Sequence, residues 1–380
     1  MMFHQPTQLF FGSGEAGRLQ AVVEEDLRVI RSLLITDKGL VATGLVTALT
    51  SGHAPLEVFD SVEANPSATT VNRIGELARR IQPELIIGLG GGSVLDAAKA
   101  VAVLATNPGL IEDYEGPGRY GFPPLPVLAV PTTCGTGSEV TKGAVITDTL
   151  RPFKMSIKGP ELFPRAAIVD PDLLKSLPPS VVASTGIDAL THAIEAFTSK
   201  PGNLITDQFA RQAVELIFRS IEPAYTDIAG NQEARESLMY GSTLAGFAFG
   251  NSDVGAVHCL AESIGALFDT PHGVANSIFL PYVMDFNLPA CAGKYAALAR
   301  AAGMEGDSDE ALADQLIREV VAVSKRVNIP GFRELGIDPG AFRRIAEYSA
   351  QNGSNPSNPR QAEIKDYEAI LEAAADGRIR

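Results

Sequence analysis

The sequence predicts two domains: an α/β domain built on a parallel sheet, then an all-helical domain. Two observations lead there. In the first half, short apolar runs alternate with amphipathic segments in a β-α-β rhythm. Beyond Leu177-Pro178-Pro179-Ser180, nearly every segment has helical periodicity instead. The paired prolines set the boundary, giving domains 1–178 and 179–380. A chain of 380 residues is long enough for both to bury substantial cores.

The elements follow in order. Apolar runs at 31–36, 56–59, 85–89, 127–130 and 166–169 read as strands. Amphipathic segments at 40–50, 69–81 and 93–104 lie between the first four and read as helices. Strands joined through helices run parallel, and helices then cover both faces of the sheet. In the second half, helices are expected at 182–197, 205–218, 231–249, 258–267, 290–302, 310–327 and 367–375. An α/β domain followed by a helical one leaves a cleft, a common location for a ligand.

A net charge of −14 and a pI near 4.9 argue against nucleic-acid and anionic-membrane partners, both of which need a basic face. Three widely spaced cysteines, Cys134, Cys259 and Cys291, give no disulfide framework and point to a reducing cytoplasm. The N-terminus has no basic region followed by an apolar one, and no apolar run approaches the roughly 20 residues that span a bilayer.

Two loops suit a phosphate. Gly90-Gly91-Gly92-Ser93 leads from a strand into a helix, where glycines admit close backbone approach and the helix start presents N–H groups. Pro131-Thr132-Thr133-Cys134-Gly135-Thr136-Gly137-Ser138-Glu139 follows another strand. Together the loops are placed to hold a pyrophosphate from both sides; separately, each also reads as a tight turn whose hydroxyls cap a helix. Asp37 ends the first strand. Its carboxylate suits a ribose 2′-OH and would repel a 2′-phosphate, favouring NAD over NADP; the competing role is a helix N-cap.

Of the five histidines, the three in the second half fall in Asp188-Ala-Leu-Thr-His192, Gly255-Ala-Val-His258 and Pro271-His272-Gly273. Asp188 and His192 share one helical face. Three neutral imidazoles and one carboxylate suit a divalent first-row metal.

With these residues in view, the chain resembles the iron-containing (group III) alcohol dehydrogenases almost end to end. The matches include Thr36-Asp37-Lys38, Asn65-Pro66, Gly90-Gly-Gly-Ser-Val-Leu-Asp96, Pro131-Thr-Thr133, Gly135-Thr-Gly-Ser-Glu139, Asp188-Ala-Leu-Thr-His192, Pro271-His-Gly-Val-Ala-Asn276 and Asn358-Pro-Arg360. The resemblance implies a Rossmann-like N-terminal domain and an all-helical C-terminal domain, in the two-domain plan of dehydroquinate synthase, with the metal in the cleft. It implies metal ligation by Asp188, His192, His258 and His272. The implied NAD(H) contacts are Asp37, Asn65, Gly91, Gly92, Ser93, Thr132, Thr133 and Lys154. The metal it implies is Fe²⁺, although Zn²⁺ binds such donors more tightly at equal supply. The implied reaction is hydride transfer between a small alcohol and its aldehyde or ketone, by a homodimer or larger homo-oligomer. Phe249, Gly143 and Ser354 fall near the family's substrate pocket. Lys142 is either a contact for an acidic aldehyde or a solvated surface lysine.

One departure stands out. Many members have a second histidine four residues after the third ligand, where this chain has Glu262. Three readings compete: a proton relay, an acceptor that orients a ligand imidazole, or no catalytic role. Alternative activities are a polyol dehydrogenase of the glycerol type, and an NAD- and metal-dependent lyase or cyclase resembling dehydroquinate synthase.

Overall fold

A computed structural model describes residues 3–52, 56–151 and 153–379. They form two compact units. One comprises Gln5–Thr133 and Ser138–Lys175; the other comprises Cys134–Gly137 and the chain from Ser176 onward.

The first unit is α/β. In chain order it contains β1 (Gln8–Phe11), α1 (Leu19–Ala21), β2 (Ser32–Ile35), α2 (Lys38–Ala42), α3 (Leu45–Thr50), β3 (Leu56–Phe59), α4 (Ala68–Ile81), β4 (Leu85–Gly90) and α5 (Gly92–Thr106). There follow β5 (Gly116–Pro117), β6 (Val127–Pro131), β7 (Gly143–Asp148), β8 (Phe153–Lys158) and β9 (Ala166–Val169). Six strands form a parallel sheet in the order β1-β9-β6-β4-β2-β3. The inner strands β2, β4, β6 and β9 are buried along their whole length, so they read as unbroken apolar runs. Side chains alternate across the sheet. Leu33, Ile35 and Ile86 join one core with α4 and α5, whereas Leu34, Leu85 and Ile87 join another with Leu19, Val22 and Val46. Both faces are therefore covered, as the β-α-β rhythm implies.

Three features depart from the sequence reading. The single helix expected at 40–50 is two, α2 and α3, because Gly44 takes a left-handed conformation with φ 79° between them. Strand β1 was not anticipated. It is a short edge strand, only partly buried, and its partner β9 lies far along the chain. The β7–β8 antiparallel pair was also missed; with β5 it forms a second, three-stranded sheet.

From Ser176 the described residues of the second unit are helical, as expected: α6 (Pro179–Thr198), α7 (Leu204–Asp227), α8 (Gln232–Gly250), α9 (Ala256–Phe268), α10 (His272–Ala301), α11 (Asp309–Arg326), α12 (Phe342–Gln351) and α13 (Ile364–Asp376). Helix α10 is far longer than the stretch expected at 290–302. It runs through Pro281 and Pro289, and packing against α6, α9 and α11 compensates for the backbone bonds those prolines remove. Pro223 is likewise carried inside α7, beyond the expected end at 218. Helix α12 was overlooked although Phe342, Ile345, Ala346 and Ser349 mark one buried helical face.

Candidate metal centre and nucleotide loops

Asp188 and His192 lie one turn apart on α6 and are 2% and 4% exposed. His258 stands in the first turn of α9 and His272 opens α10. The second unit thus brings four donors from three helices together, with one ligand atom of each within 4.8 Å of all the others. His192 Nε2 lies 2.9 Å from His258 Nε2, and His272 Nε2 lies 3.9 Å from Asp188 Oδ1. Donors around a tetrahedral ion stand about 3.4 Å apart, from metal–donor bonds of about 2.1 Å. The spacing fits. Gly273 permits it: a Cβ there would come within 2.7 Å of the Ser184 carbonyl oxygen on α6.

The hydrogen bonding also fits a cation. Asn276 Nδ2 is 2.6 Å from Asp188 Oδ1, 3.0 Å from His272 Nε2 and 3.2 Å from His258 Nε2. Two amide hydrogens face one carboxylate oxygen and two ring nitrogens. Turning the amide over would set its oxygen against the Asp188 carboxylate, so the amide nitrogen faces all three, and its two hydrogens leave one contact unfilled. His192 Nδ1 is buried without a hydrogen-bond partner. The cluster holds a surplus of converging lone pairs, which a divalent ion relieves.

Neighbouring groups hold the rings. Phe249 stacks on His192, with centroids 4.3 Å apart and planes at 23°. Glu195 Oε2 lies 2.5 Å from His258 Nδ1. Burial pushes His192 down to about 4, against the pull of Asp188, so its ring is neutral at physiological pH. Burial would also lower His258, but the hydrogen bond and charge of Glu195 outweigh it and raise that group. Burial alone would raise Asp188; the three imidazoles and Asn276 reverse this and hold its carboxyl below the ordinary range.

Glu195 and Asn276 escaped the sequence reading. Their signals were present: Glu195 lies three residues after His192, and Asn276 four after His272, each on its ligand's helical face. Glu262 Oε2 accepts from Asn352 Nδ2 at 2.6 Å, and the imidazole-bonded carboxylate is Glu195. Ser354 is buried and donates to Asp253, while Lys142 is exposed. All three cysteines are free and buried; burial lifts the Cys134 and Cys291 thiols to about 11 and also holds the Cys259 thiol well above its ordinary value.

In the first unit, β4 delivers Gly90 and Gly91 to the start of α5, where no side chain caps the helix. The Thr132 N–H donates to the Gly90 carbonyl, and a Cβ on Gly91 would lie 3.1 Å from Thr133 Cγ2. The two loops named from sequence therefore lie side by side, with Gly92 and Ser93 opening the helix. Lys154 Nζ donates to Asn65 Oδ1 at 2.8 Å, so these two residues also meet. Asn65 adopts a left-handed conformation with φ 54°. Asp37 caps α2, Oδ1 accepting from the Leu40 N–H at 2.8 Å. The competing capping role is thus present; it occupies one carboxylate oxygen.

Family models match both halves of the chain: "Iron-containing alcohol dehydrogenase" over residues 6–171 and "Fe-containing alcohol dehydrogenase family, C-terminal" over 182–375. The chain belongs to the iron-containing alcohol dehydrogenase family. It is 37% identical to a 1,3-propanediol dehydrogenase of Klebsiella pneumoniae, over 97% of each chain. A crystal structure of a 1,3-propanediol oxidoreductase superposes with a TM-score of 0.93 at 36% identity, covering 98% of this chain and all of that one. A sulfoacetaldehyde reductase from Bifidobacterium kashiwanohense, solved with NAD+, superposes at 0.90 with 30% identity, covering 99% of each. This protein is an NAD- and divalent-metal-dependent alcohol dehydrogenase acting on small alcohols or aldehydes. Among the described residues, no helix is long and apolar enough to cross a membrane.

Proposed function

We propose that Asp188, His192, His258 and His272 hold the ion, Fe²⁺ in the first instance and Zn²⁺ where zinc is more available. The observation that carries this is the convergence of their four ligand atoms with more acceptors than Asn276 can serve. When bound, the ion supplies Lewis-acid polarisation of a substrate oxygen and NAD(H) exchanges the hydride. Gly91, Gly92, Ser93, Thr132 and Thr133 bind the cofactor's phosphates through backbone N–H groups and hydroxyls. Asn65 and Lys154 act as a pair on the nicotinamide ribose. Asp37 offers its remaining oxygen to the adenosine ribose, favouring NAD. Glu262 takes and returns the proton, oriented by Asn352.

The substrate is a small neutral alcohol or aldehyde, a reading supported by the likeness to a 1,3-propanediol dehydrogenase and a 1,3-propanediol oxidoreductase. The division of labour follows the segments 1–178 for NAD and 179–380 for metal. The enzyme works in the cytoplasm as a homodimer or larger homo-oligomer, without a nucleic-acid partner, consistent with its acidic charge. The test is to strip the protein anaerobically, reload it with Fe²⁺ or Zn²⁺, and follow NADH absorbance with short neutral and acidic aldehydes. Metal-dependent oxidation of NADH, fastest with neutral aldehydes, is expected. Faster turnover of acidic aldehydes would overturn the substrate assignment.

A further inference from the structure

We infer that Glu195 sets the tautomer of His258, keeping the proton on Nδ1 and the lone pair of Nε2 on the metal side. The inference rests on the reading of His258 as a ligand. Glu195 is 5% exposed, and its two oxygens have separate duties. Oε2 meets His258 Nδ1 at 2.5 Å, while Oε1 accepts from the Val257 N–H at 2.8 Å. Helix α9 starts after Gly255, which supplies no side-chain cap. Its first N–H groups are met by groups from elsewhere in the fold: Ala256 N–H by Asn358 Oδ1 at 3.1 Å, and Val257 N–H by Glu195. Glycine at 255 admits both, because a Cβ there would lie 2.7 Å from Asn358 Oδ1 and 3.0 Å from Glu195 Oε1. One carboxylate thus fixes the start of the helix that carries His258 and also the ring itself.

The chemistry follows from the donor inventory. An ionised carboxylate only accepts, so the nitrogen facing it must carry a proton. A neutral ring with its proton on Nδ1 has a bare Nε2, here directed at His192 Nε2 and Asn276 Nδ2. Removing such an imidazole partner typically weakens metal binding about 10- to 100-fold. A purely capping role for Glu195 would leave the tautomer indifferent to it. Glu195→Gln separates the two. The amide has a single acceptor oxygen; once this serves the Val257 N–H, the amide N–H₂ faces Nδ1. Nδ1 must then accept, and the proton moves to Nε2, the ligand atom.

The test uses the full chain labelled with ¹⁵N at histidine, whose five residues give a sparse spectrum. In metal-free wild type, at a pH alkaline enough for the ring to be neutral, the His258 signal, assigned by its loss in His258→Ala, should be protonated at Nδ1 alone. In Glu195→Gln it should be protonated at Nε2, and Zn²⁺ affinity by chelator competition should fall about 10- to 100-fold. An Nε2–H tautomer in wild type overturns the inference by itself. So does an Nδ1–H tautomer retained in Glu195→Gln. Unchanged Zn²⁺ affinity in His258→Ala would instead overturn the ligand reading on which the inference rests.

Discussion

Each unit of this protein carries a carboxylate and a basic side chain one helical turn apart, and the two pairs have opposite fates. In the α/β unit, Asp96 and Lys99 stand on α5. Asp96 accepts from the Ser138 hydroxyl at 2.6 Å and from the Val145 N–H at 2.9 Å. Lys99, fully buried, donates to the Gly143 carbonyl at 2.8 Å and the Thr141 hydroxyl at 3.3 Å. Each charge is answered by fixed dipoles of β7 and the turn before it. In the helical unit, Asp188 and His192 stand on α6, and the groups around them leave contacts open: one carboxylate oxygen and two ring nitrogens share the two hydrogens of one amide, and His192 Nε2 faces His258 Nε2 at 2.9 Å. A buried polar cluster that satisfies itself is scaffold. One that leaves lone pairs converging is built for something added to it.

The two pairs should differ most when a candidate donor is removed. Asp188→Ala, His192→Ala or His272→Ala should each abolish metal retention and NADH-linked turnover while helical circular dichroism persists. Metal content by atomic absorption checks this. Retention of a full metal equivalent in any of the three would remove that residue from the ligand set.

Lys99→Met should do the reverse, costing about 1–3 kcal/mol of stability because the Gly143 carbonyl and Thr141 hydroxyl lose their buried donor, with metal stoichiometry intact. Urea unfolding with parallel metal analysis reads both. The pair also has a pH signature. Burial pushes Lys99 down to about 8, against Asp96 and Glu139, from 10.5 in the open chain. Between those values the unfolded chain holds a proton that the folded one has released. Lys99 therefore makes stability rise with pH from about 8 to 10.5, and Lys99→Met should remove that rise. An identical alkaline profile in the variant would contradict the assignment.

Glu262→Gln should lower turnover by about 10²-fold and flatten its pH profile at unchanged metal content. Unaltered turnover and pH dependence would take Glu262 out of the reaction. The smallest effect is expected at Asp37. Asp37→Ala should cost about 1 kcal/mol through the lost cap of α2 and narrow the preference for NAD over NADP. A cofactor ratio equal to wild type would leave Asp37 with its capping role alone.

The fold class was legible in the sequence alone, and so were the four candidate donors that the structure brings together. Periodicity is local, so apolar runs and helical faces mark most elements within a few residues. The candidate donors stood out because histidine is scarce in this chain and Asp188 and His192 share one helical face. The Gly-rich and Thr-rich loops were legible because strand-to-helix turns carry their own residue signature. The tertiary structure decided the rest. Prolines predict helix breaks, yet α10 passes through Pro281 and Pro289 because neighbouring helices hold it. Strand β1 exists only because β9, far along the chain, supplies its hydrogen bonds. Glu195 became the partner of His258 only when α9 was brought against α6, and Asn276 met Asp188 and His258 only when α10 was packed there too. Spacing along one helix tells which side chains share a face; which face of another helix comes to meet it is settled by packing between residues distant in sequence.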